Sequence, residues 1–143
     1  MSSRLLCLLM LPLMLVACNE TPAPQAPDPK TILQAIPEAD SAKYEHIRNM
    51  KNWRNPYLIV RADGVALFDA ADNTETVLKP DDLLAALAEL PASNWPYGRV
   101  VAAVEASRKN SSEQDKAAIR RNKGILGGLL QGAHIAVDWV PST

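Results

Sequence analysis

The chain of 143 residues is poor in cysteine, histidine and aromatics, with two Cys, two His and seven Trp, Tyr or Phe residues together. Cys7 lies inside an apolar N-terminal run and Cys18 follows that run. If the run is removed, no pair of free thiols remains, which excludes disulfide stapling, thiolate-rich metal sites and a cysteine nucleophile with a resolving partner. His46 and His134 have no ligand-type neighbour at metal spacing and read as a surface residue and a strand-start residue, so no metal site is expected. Excess charge is missing as well. The formal net charge is -1, too neutral for general nucleic-acid binding or a polybasic membrane patch. No G-x-S-x-G, P-loop, H-E-x-x-H or dinucleotide-binding fingerprint occurs.

What the N-terminus does contain is ordered and specific. Arg4 supplies a short positive region, Leu5 to Val16 is an apolar core of twelve residues interrupted by Pro12, and Ala17 is a small residue just before Cys18. Twelve apolar residues fall short of the roughly 20 needed to span a bilayer. The string Leu15-Val16-Ala17-Cys18 resembles the lipobox of bacterial lipoproteins. That resemblance implies a signal peptide over 1–17, cleavage between Ala17 and Cys18, and a diacylglycerol thioether plus an acyl chain on Cys18. Multiple acyl chains hold a protein at a membrane where one holds it only marginally. Asn19, rather than aspartate, follows the cysteine. In enteric bacteria that pattern implies the outer membrane, with the domain facing the periplasm. The covalent lipid is the sole cofactor expected.

Residues 18–30 read as a tether, because Pro22, Pro24, Pro27 and Pro29 alternate with small and polar residues. In extended polyproline geometry its twelve residues after Cys18 reach roughly 35–40 Å. Residues 31–55 read as a short helical or irregular lead-in. Pro37 breaks it, and Glu38 onward has the makings of a helix with Tyr44, Ile47 and Met50 on one side. Lys43, His46, Arg48, Lys51 and Arg54 make it basic. A solvated cap is the plainer reading of this section, and a site for anionic groups or a partner protein is the functional one.

From residue 56 onward the pattern is that of a small α/β domain. Tyr57 to Ala62 and Val65 to Phe68 are rich in β-formers, and Asp63-Gly64 between them signals a type I′ hairpin. Glu75 to Leu78 is a short edge strand. Pro80-Asp81-Asp82 opens a helix in the way that suits proline and acids in a first turn, with Leu83, Leu87, Leu90 and Ala86 as its buried stripe and Pro91 as its end. Val100 to Val104 is a continuous apolar run, expected as a central strand buried on both faces. Ser111 or Ser112 caps a helix running to about Gln131, and Ile135 to Val140 is the last strand, with Ile135, Val137 and Trp139 on one face. The order β-β-(β)-α-β-α-β is that of an α/β (α+β) two-layer sandwich with both helices on one sheet face.

Three constellations are candidates for function. Trp95-Pro96-Tyr97-Gly98-Arg99, together with Trp53, offers aromatics beside a guanidinium, a good binding hot spot if exposed and otherwise a rigid loop sealing the sheet. Glu105 and Asp138 each follow an apolar run. They read first as structural acids paired with Arg108 and Arg99, and in the rival enzyme reading as an acid/base pair. Gly124, Gly128 and Gly132 recur every four residues. Their spacing suggests close helix–sheet packing, or a homodimer contact, or a break in the helix.

From Tyr57 to Trp139 the layout is similar to the periplasmic domain of the ExbD/TolR biopolymer-transport family. The resemblance is carried by the hairpin Val60-Arg61-Ala62-Asp63-Gly64-Val65, by Lys79-Pro80-Asp81-Asp82-Leu83-Leu84, and by Tyr97-Gly98-Arg99-Val100-Val101, a string which in that family starts a helix. That family's membrane helix and proton-carrying aspartate have no counterpart here, so the resemblance implies a layout and not proton-driven transport. The expectation for the whole chain is a non-enzymatic envelope lipoprotein that binds a protein or a cell-wall component.

Overall fold

The computed structural model describes residues 22–70 and 72–142, and the leader with Ala17 and Cys18 lies outside them. The proline-rich stretch stops being extended earlier than its composition suggests. Asp28 caps a helix, α1 (Pro29–Gln34), by accepting the Lys30 N–H at 3.0 Å, and Pro29 occupies the first turn, where its missing N–H costs nothing. One residue of this helix, Leu33, is fully buried.

The domain is built on a five-stranded mixed sheet of the α+β class. Its strands are β1 (Tyr57–Arg61), β2 (Gly64–Asp69), β3 (Thr74–Leu78), β4 (Val100–Glu105) and β5 (Ala136–Val140), in the spatial order β3-β2-β1-β4-β5. β1, β2 and β3 form an antiparallel meander, while β4 runs parallel to both β1 and β5. A parallel pair needs a crossover. The β1-to-β4 connection contains α2 (Leu83–Glu89), opened by a 3-10 turn at Pro80–Asp82, and the β4-to-β5 connection is α3 (Glu113–Gly132). Ser112 caps α3 through its hydroxyl, which accepts the Asp115 N–H at 3.0 Å.

The three helices lie on one face. Leu33, Leu83, Leu84, Leu87, Ile119, Leu126 and Leu130 pack against Leu58, Val60, Val65, Val101 and Ala103 of the sheet. Each fully buried side chain of this size contributes roughly 1.5–3 kcal/mol relative to exposure, so this layer supplies most of the driving force. Leu84 joins the stripe that Leu83 and Leu87 mark in the sequence.

The opposite face is not left to solvent. Trp53, Val100 and Ala102 form a second buried cluster, with Tyr44, Ile47, Met50, Tyr57, Tyr97 and Val140 packed around it. Residues 31–55 therefore run from one face of the sheet to the other. Instead of a helix from Glu38, they carry 3-10 turns at Ser41–Lys43 and Met50–Asn52. Tyr44, Ile47 and Met50 do share a side, but what organises them is docking onto the sheet, with no complete 3.6-residue repeat to sustain a helix. β4 is thus buried on both faces, Val101 and Ala103 towards the helices and Val100 and Ala102 towards the second cluster.

Two local expectations change. The β1–β2 hairpin forms with Arg61 opposite Gly64, so its loop is Ala62-Asp63. Neither of these has positive φ, whereas a type I′ turn requires it at both positions. Gly64 instead opens β2 at φ 151°, where a Cβ would sit 2.5 Å from the Leu78 carbonyl oxygen of β3. The glycines of α3 neither break the helix nor pack on the sheet. Among the described residues, a Cβ at Gly124 or Gly128 would meet nothing within 4 Å, and one at Gly132 only the Lys30 ammonium at 4.0 Å. Close helix–sheet packing therefore does not account for their spacing; the ridge faces outward. Among the described residues, no helix is long and apolar enough to cross a membrane.

Candidate functional site

The Trp95–Arg99 string leads into β4 and is locked in place from two sides. Asn55, a buried polar residue just before β1, donates its side-chain amide to the carbonyls of Gly98 at 2.8 Å and Val100 at 2.7 Å. Its side-chain oxygen accepts the Tyr97 N–H at 3.0 Å. On the other side the chain at Pro37–Asp40 runs alongside: Arg99 N–H donates to Pro37 O, and Asp40 N–H to Tyr97 O, both at 2.9 Å. Sequence reasoning passed over Asn55. Its one visible signal was an amide placed directly before Pro56 at the start of a strand.

This clamp decides where the candidate binding residues go. Trp95 is 4% exposed and belongs to the helix-side core, and among the described residues its indole N–H has no hydrogen-bond partner. Trp53 is also 4% exposed, on the other face, and its indole donates to Pro56 O at 3.2 Å. Tyr97 is half-buried, its ring 5.3 Å from Trp53 and 6.2 Å from Tyr44, with its hydroxyl donating to Asn52 O at 3.3 Å. A hot spot of exposed indoles is thus not what these residues form. The two tryptophans seal opposite faces of the sheet, and the loop between them is a rigid joint.

Arg99 is the member of the set that remains chemically unspent. Its side chain is 11% exposed, and among the described residues its Nε is enclosed without an acceptor and its ion-pair partner is Glu38, with a carboxylate oxygen 3.9 Å from Nη2. Among the described residues Arg99 forms no ion pair with Asp138, the partner expected from the sequence. Arg99, Gln34, Glu38, Ala39, His134 and Ala136 line a cleft of about 640 Å³. His134 sits there with φ 56°. It occupies the position after the α3 C-cap that usually holds glycine: its N–H donates to Gln131 O at 3.0 Å, and the next N–H, of Ile135, reaches back to Leu130 O at 2.9 Å.

Glu105 and Asp138 are not brought together. Ala102 and Ala103 of β4 pair with Asp138 and Trp139 of β5. Paired residues in a parallel ladder share a face and successive ones alternate, so Asp138 lies on the face of Ala102 and Glu105 on the face of Ala103. Contacts agree: Glu105 pairs with Lys123 of α3, and Asp138 raises the pKa of Tyr44 on the opposite layer, after burial as the larger cause. The Lys123 ammonium also stands 4.5 Å from the centre of the Trp139 ring. The proposed acid/base pair therefore has no geometry, and the expected Glu105–Arg108 ion pair is replaced by Glu105–Lys123.

A second groove, also of about 640 Å³, opens beside the N-terminal end of β1, between Met50–Tyr57, Phe68–Ala70 and Leu90–Asn94. Tyr57 and Phe68 meet edge-to-face there at 6.1 Å, and the exposed cations Lys51 and Arg54 stand at its rim. The remaining cations of the basic section point outward too: Lys43 pairs with Asp40 at 3.5 Å, and Arg48 donates to Glu45 O at 2.7 Å. Comparison with protein-family models, with curated proteins and with solved structures finds no match to this chain.

Proposed function

We propose that the protein is a bacterial envelope lipoprotein, lipid-anchored through Cys18, whose α/β domain is a non-enzymatic binding module at the outer membrane, facing the periplasm. The observation that carries this reading is the ordered leader: Arg4, an apolar run from Leu5, then Leu15-Val16-Ala17-Cys18. The proline-rich stretch to Asp28 supports it, since a tether between anchor and domain is what a lipid-held module needs. For the domain, the separation of Glu105 from Asp138 favours binding over the one catalytic arrangement the sequence offered. Its partner is a protein or a cell-wall component, and nucleic acid is disfavoured by the near-neutral charge.

The test is mass spectrometry of the N-terminal peptide from membrane-extracted protein, with Cys18→Ser as control. The expected result is a mature chain beginning at a Cys18 that carries the mass of its acyl groups, and a Cys18→Ser chain that keeps its leader and is not acylated. An unmodified Cys18 in the wild-type protein overturns the anchor. In-cell crosslinking from Lys51 and Arg54, on the groove rim, tests the binding role. No captured partner or cell-wall material from either position overturns the groove as the contact surface.

A further inference from the structure

We propose that Arg99 anchors a binding site for the carboxylate group of a small ligand, in the cleft it shares with Gln34, Glu38 and His134. A guanidinium at the floor of a cleft is costly to hold there unless its charge and its N–H groups are answered. Here they are answered poorly. Among the described residues the Nε–H has no acceptor, and the one carboxylate within reach stands 3.9 Å away on a Glu38 side chain that is 91% exposed. Glu38 is therefore a loose, replaceable counter-ion and Arg99 a fixed one. The Arg99 backbone is held by its N–H to Pro37 O and by the Ala136 N–H to its own carbonyl, each at 2.9 Å.

A planar guanidinium fork matches a carboxylate in shape and charge better than it matches a single-point anion. Gln34 adds a neutral amide donor and His134 an imidazole at the rim. The His134 backbone conformation, unfavourable for a residue with a Cβ, keeps that imidazole where glycine would leave an empty wall. The cleft volume of about 640 Å³ suits a ligand of organic-acid to dipeptide size. The inference gives the proposed binding module a ligand chemistry and rests on that reading, but it does not depend on the lipid at Cys18, so failure of the anchor test leaves it standing.

The test uses the full chain purified in detergent and follows the Arg99 Nε–H resonance by NMR during titration with N-acetyl-dialanine, its C-terminal amide, acetate and inorganic phosphate. Both carboxylates are expected to shift the resonance saturably and the amide to leave it unmoved; tighter binding of the peptide acid than of acetate identifies a peptide end as the source. Glu38→Gln removes the competing carboxylate and is expected to tighten binding about threefold, whereas Arg99→Gln, which has no Nε–H and is followed through the backbone amide resonances of the cleft instead, weakens it about tenfold or more. Glu38 is exposed, so its variant reads out binding even where Arg99→Gln fails to fold. Equal shifts with acid and amide, response to phosphate alone, no response to any probe, or weaker binding in Glu38→Gln overturns the assignment.

Discussion

Gly98 lies so close to Glu38 that a Cβ on it would fall 2.1 Å from the Glu38 carbonyl oxygen and 2.9 Å from that of Pro37. Both obstacles are backbone and cannot rotate away. Gly98 also has φ 80°, in the left-handed region. Gly98→Ala thus carries a conformational penalty and a steric one, together about 2–5 kcal/mol. Urea unfolding is the measurement. A loss below about 0.5 kcal/mol would mean that the 37–40 segment does not press on the β4 entry as described.

Asn55 uses both ends of its amide on the same loop, donating to Gly98 O and Val100 O and accepting from Tyr97 N–H. Asn55→Ala leaves these buried backbone groups without partners and is expected to cost about 2–4 kcal/mol, the sum of more than one unsatisfied group. Asn55→Asp keeps the acceptor but turns a carboxylate oxygen towards two carbonyls, so it should be at least as destabilising. If Asn55→Asp is as stable as wild type in equilibrium unfolding, the clamp is not what holds the loop.

These two residues also show why the fold was more legible in the sequence than the site. Strands, α2 and α3 follow from period, caps and turn chemistry acting over a few residues: Ser112 caps where a serine should, and Val100 to Val104 is apolar throughout because two layers press on it. The fate of Trp95 depends on contacts between distant parts of the chain. Asn55 reaches across 43 residues to Gly98, and Pro37 crosses to Arg99. No local pattern tells that an aromatic beside an arginine will be turned inward. The glycines of α3 misled for the complementary reason: spacing places them on one side of the helix but does not say what, if anything, that side faces.

Tyr57 gives the domain an alkaline limit. Burial, and secondarily the charge of Glu75, raise its pKa above the ordinary 10.0, and Tyr44 is raised as well, again mainly by burial. A group whose native pKa is raised contributes stability that is complete below its unfolded value and is lost as pH climbs through the native one. Stability should therefore be flat below about pH 10 with respect to these tyrosines and fall above it. Tyr57→Phe, which cannot ionise, should flatten that alkaline limb. A limb of the same slope in Tyr57→Phe would assign the effect elsewhere. Ultraviolet titration should find at least one tyrosinate forming later than in the unfolded chain.

His134 holds a glycine position at the end of α3. His134→Gly relieves a left-handed conformation that costs a residue with a Cβ roughly 1–2 kcal/mol. It should raise stability while weakening any carboxylate held beside Arg99, the trade expected where a strained residue serves a site. Thermal unfolding reads the first effect and the Arg99 Nε–H titration the second. A variant that is less stable than wild type contradicts the backbone geometry.

Gly124 and Gly128 provide the opposite case to Gly98. Both are exposed in the interior of α3, and a Cβ on either would meet no atom of the described residues within 4 Å. Glycine costs a helix about 0.8–1.0 kcal/mol relative to alanine. Each change to alanine should therefore stabilise by up to that amount, and the double variant by about 1–2 kcal/mol, since both methyl groups add helix propensity and meet no strain. The same pair decides the dimer expectation attached to this ridge. If a second copy packed against these glycines, methyl groups there would hold the helices apart and sedimentation would show weaker association. Alanine that stabilises the chain and leaves its sedimentation unchanged means the ridge is a solvent face. Alanine that lowers both stability and association means that the outward face is covered by another copy.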